Sequence, residues 1–283
     1  MLVVCAACAS RPPAAAADLG SAQVAAPVAA PDPALRLHGH NDYLQPVPCT
    51  RALELGLGSL EADVYLVDGE LRVGHERWQL RPGRTLRSLY LDPLSAAWSR
   101  RGGALLPHGR PLVLLVDIKA DGALVYAELR CELAAFAPML TRFVGDRIEP
   151  GAVTVLLSGD RPRALVAAEP ERLCALDGRL GDLDASPSPP AALVPWVSDT
   201  WRKLSDWSGS DELLPDERQR VAALVAKAHA QGRELRFWSA PDRAEAWAAL
   251  FDLGIDRICT DQPQRAVDWL RAQRGASSSS AAR

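Results

Sequence analysis

Several features that would reveal other kinds of protein are scarce or missing in this chain of 283 residues. The 32 Lys and Arg do not outnumber the 35 Asp and Glu, so bulk charge predicts no nucleic-acid partner. No run approaches the ~20 consecutive apolar residues that a membrane-spanning helix requires. No Gly-rich phosphate turn follows an apparent strand, which argues against a dinucleotide-binding open sheet. The composition, 48% hydrophobic, leaves a globular protein long enough for one large domain or two small ones.

Cysteine is sparse beyond the first residues. Cys49, Cys131, Cys174 and Cys259 are far apart, so none of them forms the CxxC pair of a zinc or redox site. Cys174 and Cys259 lie in apolar runs and are expected to be small, buried core residues. Cysteine usage therefore leaves the cellular compartment open.

The two ends of the chain differ in composition from the middle. Residues 1–33 are rich in Ala and Pro, and residues 274–283 in Ser and Ala, so we predict a leader and a flexible tail. The stretch LVVCAACAS resembles the end of a bacterial export signal, with small residues before Cys8 as at a lipoprotein cleavage site. This predicts an extracytoplasmic protein, secreted or lipid-anchored, with peripheral membrane contact. The alternative is a disordered leader on a cytoplasmic protein.

Residues 34–273 alternate short apolar runs with longer amphipathic stretches. Eight runs indicate strands: ALRLH, GSLEADVYL, PLVLLVDIK, AVTVLLS, RLCALDG, LVPWVSD, ELRFWSA and DRICT. Between them, apolar residues three and four apart predict helices. Apolar strands that alternate with helices indicate a parallel sheet covered by helices. Eight such units in ~240 residues predict an α/β fold, the closed (β/α)8 or TIM barrel.

Carboxylates follow two of the predicted strands. In a barrel, functional residues lie at the carboxyl ends of the strands. Glu61 and Asp63 are two residues apart in SLEADVYLV and project to the same side, and Asp117 ends the next strand. Inward carboxylates repel one another, and an oxygen-bound cation relieves that repulsion, so we predict a site for Mg²⁺ or Ca²⁺. Asn41, after the first strand, can add a neutral oxygen.

Only five histidines occur, and two of them follow the first strand in HGHND. His-x-His at this position also begins the binuclear zinc site of amidohydrolases, which need further histidines on later strands. The histidines that remain are His75, His108 and His229. Because these are too few, a zinc amidohydrolase is the least favoured of the alternatives.

An acid–base function fits the histidines better than a zinc site. We interpret His38 and His40 as one acid–base group and its support, with His75 as the opposite partner in an in-line displacement at phosphate. Lys119, two residues beyond Asp117, can neutralise the charge that develops on phosphate.

Four motifs together carry a family resemblance. HGHNDY, LEADVYLVDGELRVGH, TLRSLYLDPL and LFDLGIDRICTDQP resemble the PLC-like phosphodiesterase superfamily, which includes phosphatidylinositol phospholipases C, glycerophosphodiester phosphodiesterases and sphingomyelinase D-type toxins. The nearest resemblance is to a little-characterised bacterial and fungal branch marked by His-x-His-Asn-Asp-Tyr, and it covers residues 35–272. It implies a metal-dependent phosphoric diester hydrolase acting on a glycerophosphodiester, lysophospholipid or phosphoinositide-like substrate, with a cyclic phosphate as a common first product.

The resemblance also implies roles for single residues. The Thr-His-Asn-Ser turn of phospholipases C makes His40 the first catalytic histidine, whereas the His-Arg-Gly of glycerophosphodiesterases points to His38. The remaining matches are the metal ligands Glu61, Asp63, Asp117 and Asn41, the second histidine His75, the phosphate-contacting Lys119, and the pocket aromatic Trp238. Because the Arg of His-Arg-Gly and the Pro-Glu-Asn-Thr stretch are absent, ordinary glycerophosphodiesterase activity is not implied. A non-catalytic barrel that binds a phosphorylated ligand is the main alternative.

Overall fold

The computed structural model of the protein describes residues 32–281. The predicted leader therefore lies outside the described residues, apart from its last two positions. The final helix runs to Ala281, past residue 273 where we predicted the barrel domain to end, so the domain limits stay predictions. Within residues 32–281, no helix combines the length and the hydropathy needed to cross a bilayer.

The described residues form twelve strands and seven α-helices. The strands are β1 (Leu37–Gly39), β2 (Ser59–Val67), β3 (Glu70–Val73), β4 (Leu112–Ile118), β5 (Arg142–Val144), β6 (Arg147–Glu149), β7 (Val153–Gly159), β8 (Glu171–Arg172), β9 (Cys174–Gly178), β10 (Trp196–Thr200), β11 (Glu234–Trp238) and β12 (Arg257–Thr260). The helices are α1 (Thr50–Leu55), α2 (Asp92–Arg100), α3 (Gly122–Ala135), α4 (Arg163–Ala168), α5 (Pro215–Ala230), α6 (Ala244–Asp252) and α7 (Pro263–Ala281).

Eight parallel strands close into a barrel. Their order around it is β1, β2, β4, β7, β9, β10, β11 and β12, and β12 pairs with β1 to complete the circle. These are the eight strands that the apolar runs predict, so the (β/α)8 prediction is confirmed. The register between β2 and β4 sets Asp63 directly beside Asp117, which brings two of the predicted ligands together.

Along β4, the barrel interior changes from apolar to polar. On β4, Val113 and Leu115 belong to an inner apolar cluster that also contains Leu156 and Trp196. Asp117 is two residues further along and shares their face. The apolar layer therefore closes the barrel towards the amino ends of the strands, and the polar side chains collect at the carboxyl ends.

A β-hairpin extends the end of β2. β2 pairs with β3 in antiparallel fashion, and the turn residues Asp68 and Gly69 have φ angles of 53° and 77°, as a type I′ turn requires. After β3, the backbone N–H of Gly74 donates to the carbonyl of Asp63 at 3.0 Å. The hairpin thus returns the chain to the end of β2 and places His75 beside Asp63.

A small antiparallel sheet of β6, β5 and β8 has no counterpart in the sequence prediction. The sequence pattern predicts one helix over residues 121–143, whereas α3 ends at Ala135. Pro138 lacks an amide proton and disfavours helical geometry at the residue before it, so the helix stops and the chain enters β5. The new strands are short and charged, which hides them from a search for apolar runs.

Candidate active site

Three carboxylates converge at the carboxyl ends of β2 and β4. One oxygen from each of Glu61, Asp63 and Asp117 lies within 4.8 Å of the others. Glu61 and Asp63 are buried, and Asp117 is partly buried. Alternation along β2 explains why Glu61 and Asp63 share a face, because Ala62 between them packs into the outer core.

The hydrogen bonds of Asp63 leave one oxygen free. Its Oδ2 accepts from the Tyr43 hydroxyl (2.8 Å), from His75 Nδ1 (2.8 Å) and from Lys119 Nζ (2.8 Å). Its Oδ1 is buried, and no hydrogen-bond partner for it exists among the described residues. A buried carboxylate oxygen without a donor is costly. A cation at this position would relieve that cost, so the donor set fits a hard divalent ion.

Asp117 is held by a close backbone contact with Gly159. A Cβ at residue 159 would lie 2.0 Å from Asp117 Oδ1, and the φ of 65° there also favours glycine. Burial and the charges of Glu61 and Asp63 raise the pKa of Asp117, although the Lys119 ammonium, 3.1 Å from Oδ2, opposes this shift. Asp117 thus completes the carboxylate cluster, and the negative charges of its two neighbours disfavour its ionised form.

Arg236 on β11 supports Glu61 from inside the barrel. Its Nη1 lies 3.4 Å from Glu61 Oε2, and both side chains are buried. Burial acts to raise the pKa of Glu61, but the charge of Arg236 and the hydrogen bond with His38 outweigh it and hold that pKa well below its usual range. Glu61 is therefore ionised at neutral pH.

His38 lies below the rim, in the same buried network. It is 0% exposed, its Nε2 is 2.8 Å from Arg236 Nη1 and 3.1 Å from Glu61 Oε2, and its Nδ1 is 3.0 Å from Ser59 Oγ. Burial and the charge of Arg236 lower the pKa of His38 to about 4, so the ring is neutral at pH 7. These contacts position Glu61 and leave His38 without solvent exposure.

His40 lies at the rim and is partly exposed. Its Nδ1–H donates to Asp261 Oδ1 at 2.7 Å, and its Nε2 lies 3.9 Å from Glu61 Oε2. Burial acts to lower the pKa of His40, but the hydrogen bond to Asp261 and the charge of Glu61 outweigh it, so the pKa is raised. A carboxylate on Nδ1 fixes the tautomer and leaves Nε2 for proton transfer.

His75 repeats this arrangement beside Asp63. Its Nδ1 donates to Asp63 Oδ2 at 2.8 Å, and its Nε2 lies 3.9 Å from Glu76 Oε1. The side chain is 53% exposed, so its Nε2 is open to a ligand in the barrel mouth. His75 therefore contacts Asp63 of the cluster directly, whereas His40 is bonded to Asp261 and has its Nε2 3.9 Å from Glu61.

Asn41 connects to the cluster through Tyr43. The Tyr43 hydroxyl lies 2.8 Å from Asn41 Oδ1 and 2.8 Å from Asp63 Oδ2, and one proton serves either acceptor. Asn41 has a φ of 47°, in the left-handed region that asparagine tolerates better than most residues. Its role as a metal ligand stays a prediction.

Trp238 lies across the mouth, at the end of β11. The Arg179 guanidinium stacks over its ring, 4.9 Å from the centroid. Arg179 in turn pairs with Asp177 Oδ2 at 3.0 Å, and Ser158 Oγ also donates to that oxygen at 2.9 Å. A second polar cluster therefore lines the β7–β9–β11 side of the mouth.

Three residues that contact the site were not predicted from the sequence: Arg236, Asp261 and Tyr43. Arg236 carried a usable signal, because it is a charged residue in the middle of the predicted strand ELRFWSA. Asp261 follows β12 directly, at the face where function was expected. Tyr43 gave no signal, since its contact with Asp63 depends on the turn after β1.

The chain is an eight-stranded barrel with polar groups at the carboxyl ends of its strands, and comparison with known proteins finds a phosphodiesterase-like domain. A family model, the AIM6-like phosphodiesterase domain, matches residues 31–104. A fungal protein, the altered inheritance of mitochondria protein 6 homolog of Arthroderma benhamiae, is 29% identical over 80% of this chain and 80% of its own length. The predicted resemblance to PLC-like phosphodiesterases is confirmed.

Two solved structures align with this chain at low sequence identity. A calcium-dependent phosphoinositol-specific phospholipase C from Pseudomonas sp. aligns with a TM-score of 0.56 and 11% identity, over 80% of this chain and 88% of its own. A glycerophosphodiester phosphodiesterase from Parabacteroides distasonis aligns with a TM-score of 0.49 and 16% identity, over 84% and 98%. The alignment with the phospholipase C shows that the two chains share a fold.

The prediction of an exported or lipid-anchored protein is wrong. The matching relatives are fungal proteins named for altered inheritance of mitochondria, a name that points to a protein of the eukaryotic cell and not to secretion. The prediction depended on LVVCAACAS, which lies outside the described residues. An alanine-rich segment supplies small residues before a cysteine by composition alone, so the similarity to a lipoprotein cleavage site carried little information.

Proposed function

We propose that this protein is a metal-dependent phosphodiester hydrolase. The observation that carries the proposal is the convergence of Glu61, Asp63 and Asp117, with a buried unpaired oxygen on Asp63. Two fixed cations, Lys119 and Arg236, contact this cluster, so three carboxylate charges meet two positive charges. The remaining negative charge and the oxygen-only donor set favour Mg²⁺ or Ca²⁺.

Glu61, Asp63 and Asp117 would hold the cation, with Asn41 as a further oxygen donor. A bound divalent ion supplies polarisation of the phosphate and a lower pKa for a neighbouring hydroxyl. Lys119 would contact a non-bridging phosphate oxygen and neutralise charge that develops there. Its ammonium group lies between Asp63 and Asp117, which places it at the edge of the same cluster.

His40 and His75 would perform the proton transfers. Each has its Nδ1 bonded to a carboxylate and therefore presents Nε2 to the mouth. One histidine would take the proton from the attacking hydroxyl or water, and the other would protonate the leaving oxygen. His38 would act through Glu61 and Arg236, because its ring is buried beneath them.

The substrate would be a glycerophosphodiester, a lysophospholipid or a phosphoinositide-like diester, with Trp238 lining the pocket. The test incubates the protein with glycerophosphocholine, lysophosphatidylcholine and glycerophosphoinositol in Mg²⁺ or Ca²⁺, and follows products by ³¹P NMR. We expect EDTA-sensitive cleavage of at least one diester, and the spectrum separates a cyclic phosphate from a monoester. Glu61→Gln should abolish cleavage, whereas Asp199→Asn, a buried strand-end acid paired with Lys203, should not. Equal activity of the two variants would contradict the proposal.

One observation favours the alternative of a non-catalytic phosphoryl-binding barrel. The Lys119 ammonium already pairs with Asp63 and Asp117, so a cation is present in the cluster without any metal. Such a binder would retain phosphodiester affinity in EDTA and leave every diester intact over long incubation. A zinc amidohydrolase is less favoured, because the one group of metal-binding side chains found among the described residues consists of carboxylates.

Exposed apolar residues around the mouth support a lipid head group as substrate. Six of the seven large hydrophobic residues that are exposed in the described chain lie in loops or first helical turns that follow barrel strands: Leu44, Val47, Trp78, Leu124, Leu165 and Leu214. Apolar groups on one face are typical of a surface that contacts a membrane or a partner. We expect the protein to co-sediment with phosphatidylcholine–phosphatidylinositol vesicles. Trp78→Ser should weaken this binding, whereas Ile148→Ser should not, because Ile148 is exposed on β6 and does not follow a barrel strand. Equal sedimentation of both variants would contradict membrane contact.

A further inference from the structure

Arg233 is a buried cation on the flank of the barrel. It directly precedes β11, so it lies at the end of that strand opposite Trp238 and the mouth. Its side chain is almost fully buried, with the residue 3% exposed. Nε and Nη1 are both buried, and neither has a hydrogen-bond partner among residues 32–281. Unpaired N–H groups on a buried cation are costly, so this guanidinium has donors available for a further acceptor.

The one nitrogen of Arg233 that is bonded contacts a loop. Nη2 donates to Ser188 Oγ at 2.8 Å and to the carbonyl of Pro189. The Ser188 hydroxyl in turn lies 3.3 Å from Gln231 Oε1, to which it donates. The acceptors of Arg233 are therefore a hydroxyl and a carbonyl, and neither carries a charge that balances the guanidinium.

The charged residues around Arg233 are paired with one another. Burial lowers the pKa of Arg233, while the charge of Asp182 opposes this shift and that of Arg163 adds to it. Asp182 and Arg163 form a two-point contact at 2.7 and 3.2 Å, so their effects on Arg233 largely cancel. Asp184, the carboxylate of the loop itself, pairs with Lys227. No described carboxylate is thus left to neutralise Arg233.

The loop that carries Ser188 is open to another protein. Residues 184–190 lie between β9 and β10 and contain no helix or strand, and residues 184–188 are all exposed. Ser186 and Ser188 each precede a proline, which disfavours helical geometry and favours an extended chain. An exposed, extended stretch is the form in which a modifying enzyme can bind a peptide segment.

We propose that Ser188 is a phosphorylation site and that Arg233 binds the phosphate. Ser188 Oγ attacks the γ-phosphorus of a nucleoside triphosphate in a protein kinase. The bond from that phosphorus to its bridging oxygen breaks, the nucleoside diphosphate leaves, and the hydroxyl proton passes to a base of the kinase. This inference does not depend on the proposed function.

The product matches what Arg233 lacks. A phosphoserine carries a charge of about −1.5 to −2 at neutral pH and three acceptor oxygens. Since Ser188 Oγ is already 2.8 Å from Nη2, the phosphate oxygens would be next to the guanidinium. Hydrogen bonds between a guanidinium and a phosphate are charge-assisted and stronger than the neutral contact that they replace. The modification would therefore fix the loop to the barrel.

The first test measures whether Arg233 contacts the phosphate. Phosphoserine is incorporated during translation at position 188 or, as a matched control, at position 186, which is also exposed and precedes a proline. The second phosphate pKa of each full-length chain is then measured by ³¹P NMR. This pKa is ordinarily about 6, and the adjacent guanidinium should lower it by about 1 or more at position 188 only.

Substitution of Arg233 provides the control for that comparison. Arg233→Gln should remove the difference between positions 188 and 186, whereas Arg233→Lys, which keeps the charge, should retain part of it. If Arg233→Gln does not fold, the two positions in the wild-type background still decide the question. Equal phosphate pKa values at positions 188 and 186 would overturn the contact.

The second test asks whether the modification occurs. The protein is isolated from its native host with phosphatase inhibitors, and its peptides are mapped by mass spectrometry. We expect phosphate on Ser188 in a fraction of the chains. A chain unmodified at Ser188 in both exponential and stationary growth would overturn the proposal. Stabilisation of the unmodified chain by inorganic phosphate, lost in Arg233→Gln, would identify a site for a free anion and would also overturn it.

Discussion

His38 and His40 are two residues apart at the end of β1, yet their surroundings differ. His38 lies one layer deeper, between Ser59, Glu61 and Arg236, and has no solvent exposure. His40 is at the rim, bonded to Asp261. The difference follows from the rise of about 3.3 Å per residue along a strand, which moves a side chain two positions on from the interior to the mouth.

This contrast predicts unequal effects of substitution. His40→Ala should lower kcat by about 100-fold or more, because a general acid or base is lost. His38→Ala should lower kcat less, since the ring acts by positioning Glu61. Steady-state kinetics on the best diester compares the two, with circular dichroism to establish folding. A larger loss at His38 would reverse the assignment.

The pair of His40 and Asp261 predicts a pH effect. Because the carboxylate stabilises the imidazolium, the pKa of His40 is raised above its ordinary 6.5, and removing the charge should lower it. In Asp261→Asn the pKa of His40 should therefore fall, extending the pH range of the neutral ring downward. Imidazole NMR of the EDTA-treated protein measures this, with His229 as an internal reference distant from Asp261. An unchanged His40 pKa would show that the contact does not operate in solution.

Strand β11 contributes a buried cation to the barrel interior. Arg236 contacts His38, Glu61 and, through Nε, Ser198 Oγ at 3.2 Å. Ser198 donates to Asp177, so one hydrogen-bonded chain runs from the carboxylate cluster to Arg179 beyond it. The strand thereby connects the two polar halves of the mouth.

Removing this cation should destabilise the fold through Glu61. Arg236→Met leaves a buried carboxylate without its ion pair, and the free energy of unfolding should fall by about 3–5 kcal/mol. Adding Glu61→Gln should recover part of the loss, because the unpaired charge is then absent. Urea denaturation of the single and double variants provides the coupling energy. Strictly additive effects would contradict the proposed pairing.

Strands and helices with a regular apolar pattern could be predicted from the sequence. Short strands that are held mainly by pairing with other strands could not. The predicted strand PLVLLVDIK is an apolar run that leads to Asp117, so both β4 and its candidate metal-binding residue could be predicted. β5 (Arg142–Val144) carries no such run, and it is held by pairing with the adjacent β6 and with β8, which is distant in sequence. His75 was predicted from the scarcity of histidines and from the resemblance, but its contact with Asp63 required the hairpin turn at Asp68–Gly69.

At the scale of the whole molecule, the barrel separates two polar clusters across one mouth. Carboxylates collect at the ends of β2 and β4, and arginines with acidic partners collect after β7 and β9. The closed sheet fixes this separation, because strand order and register determine which side chains are neighbours.

The central claim, that the carboxylate cluster holds a divalent ion, is tested most directly by metal stoichiometry. Calorimetric titration of the EDTA-treated, dialysed protein with Mg²⁺ or Ca²⁺ should show one ion per chain. Glu61→Gln, Asp63→Asn and Asp117→Asn should each weaken or abolish that binding, while Asp199→Asn should retain it. Binding of the same strength in all four variants, or no binding by the wild type, would contradict the account.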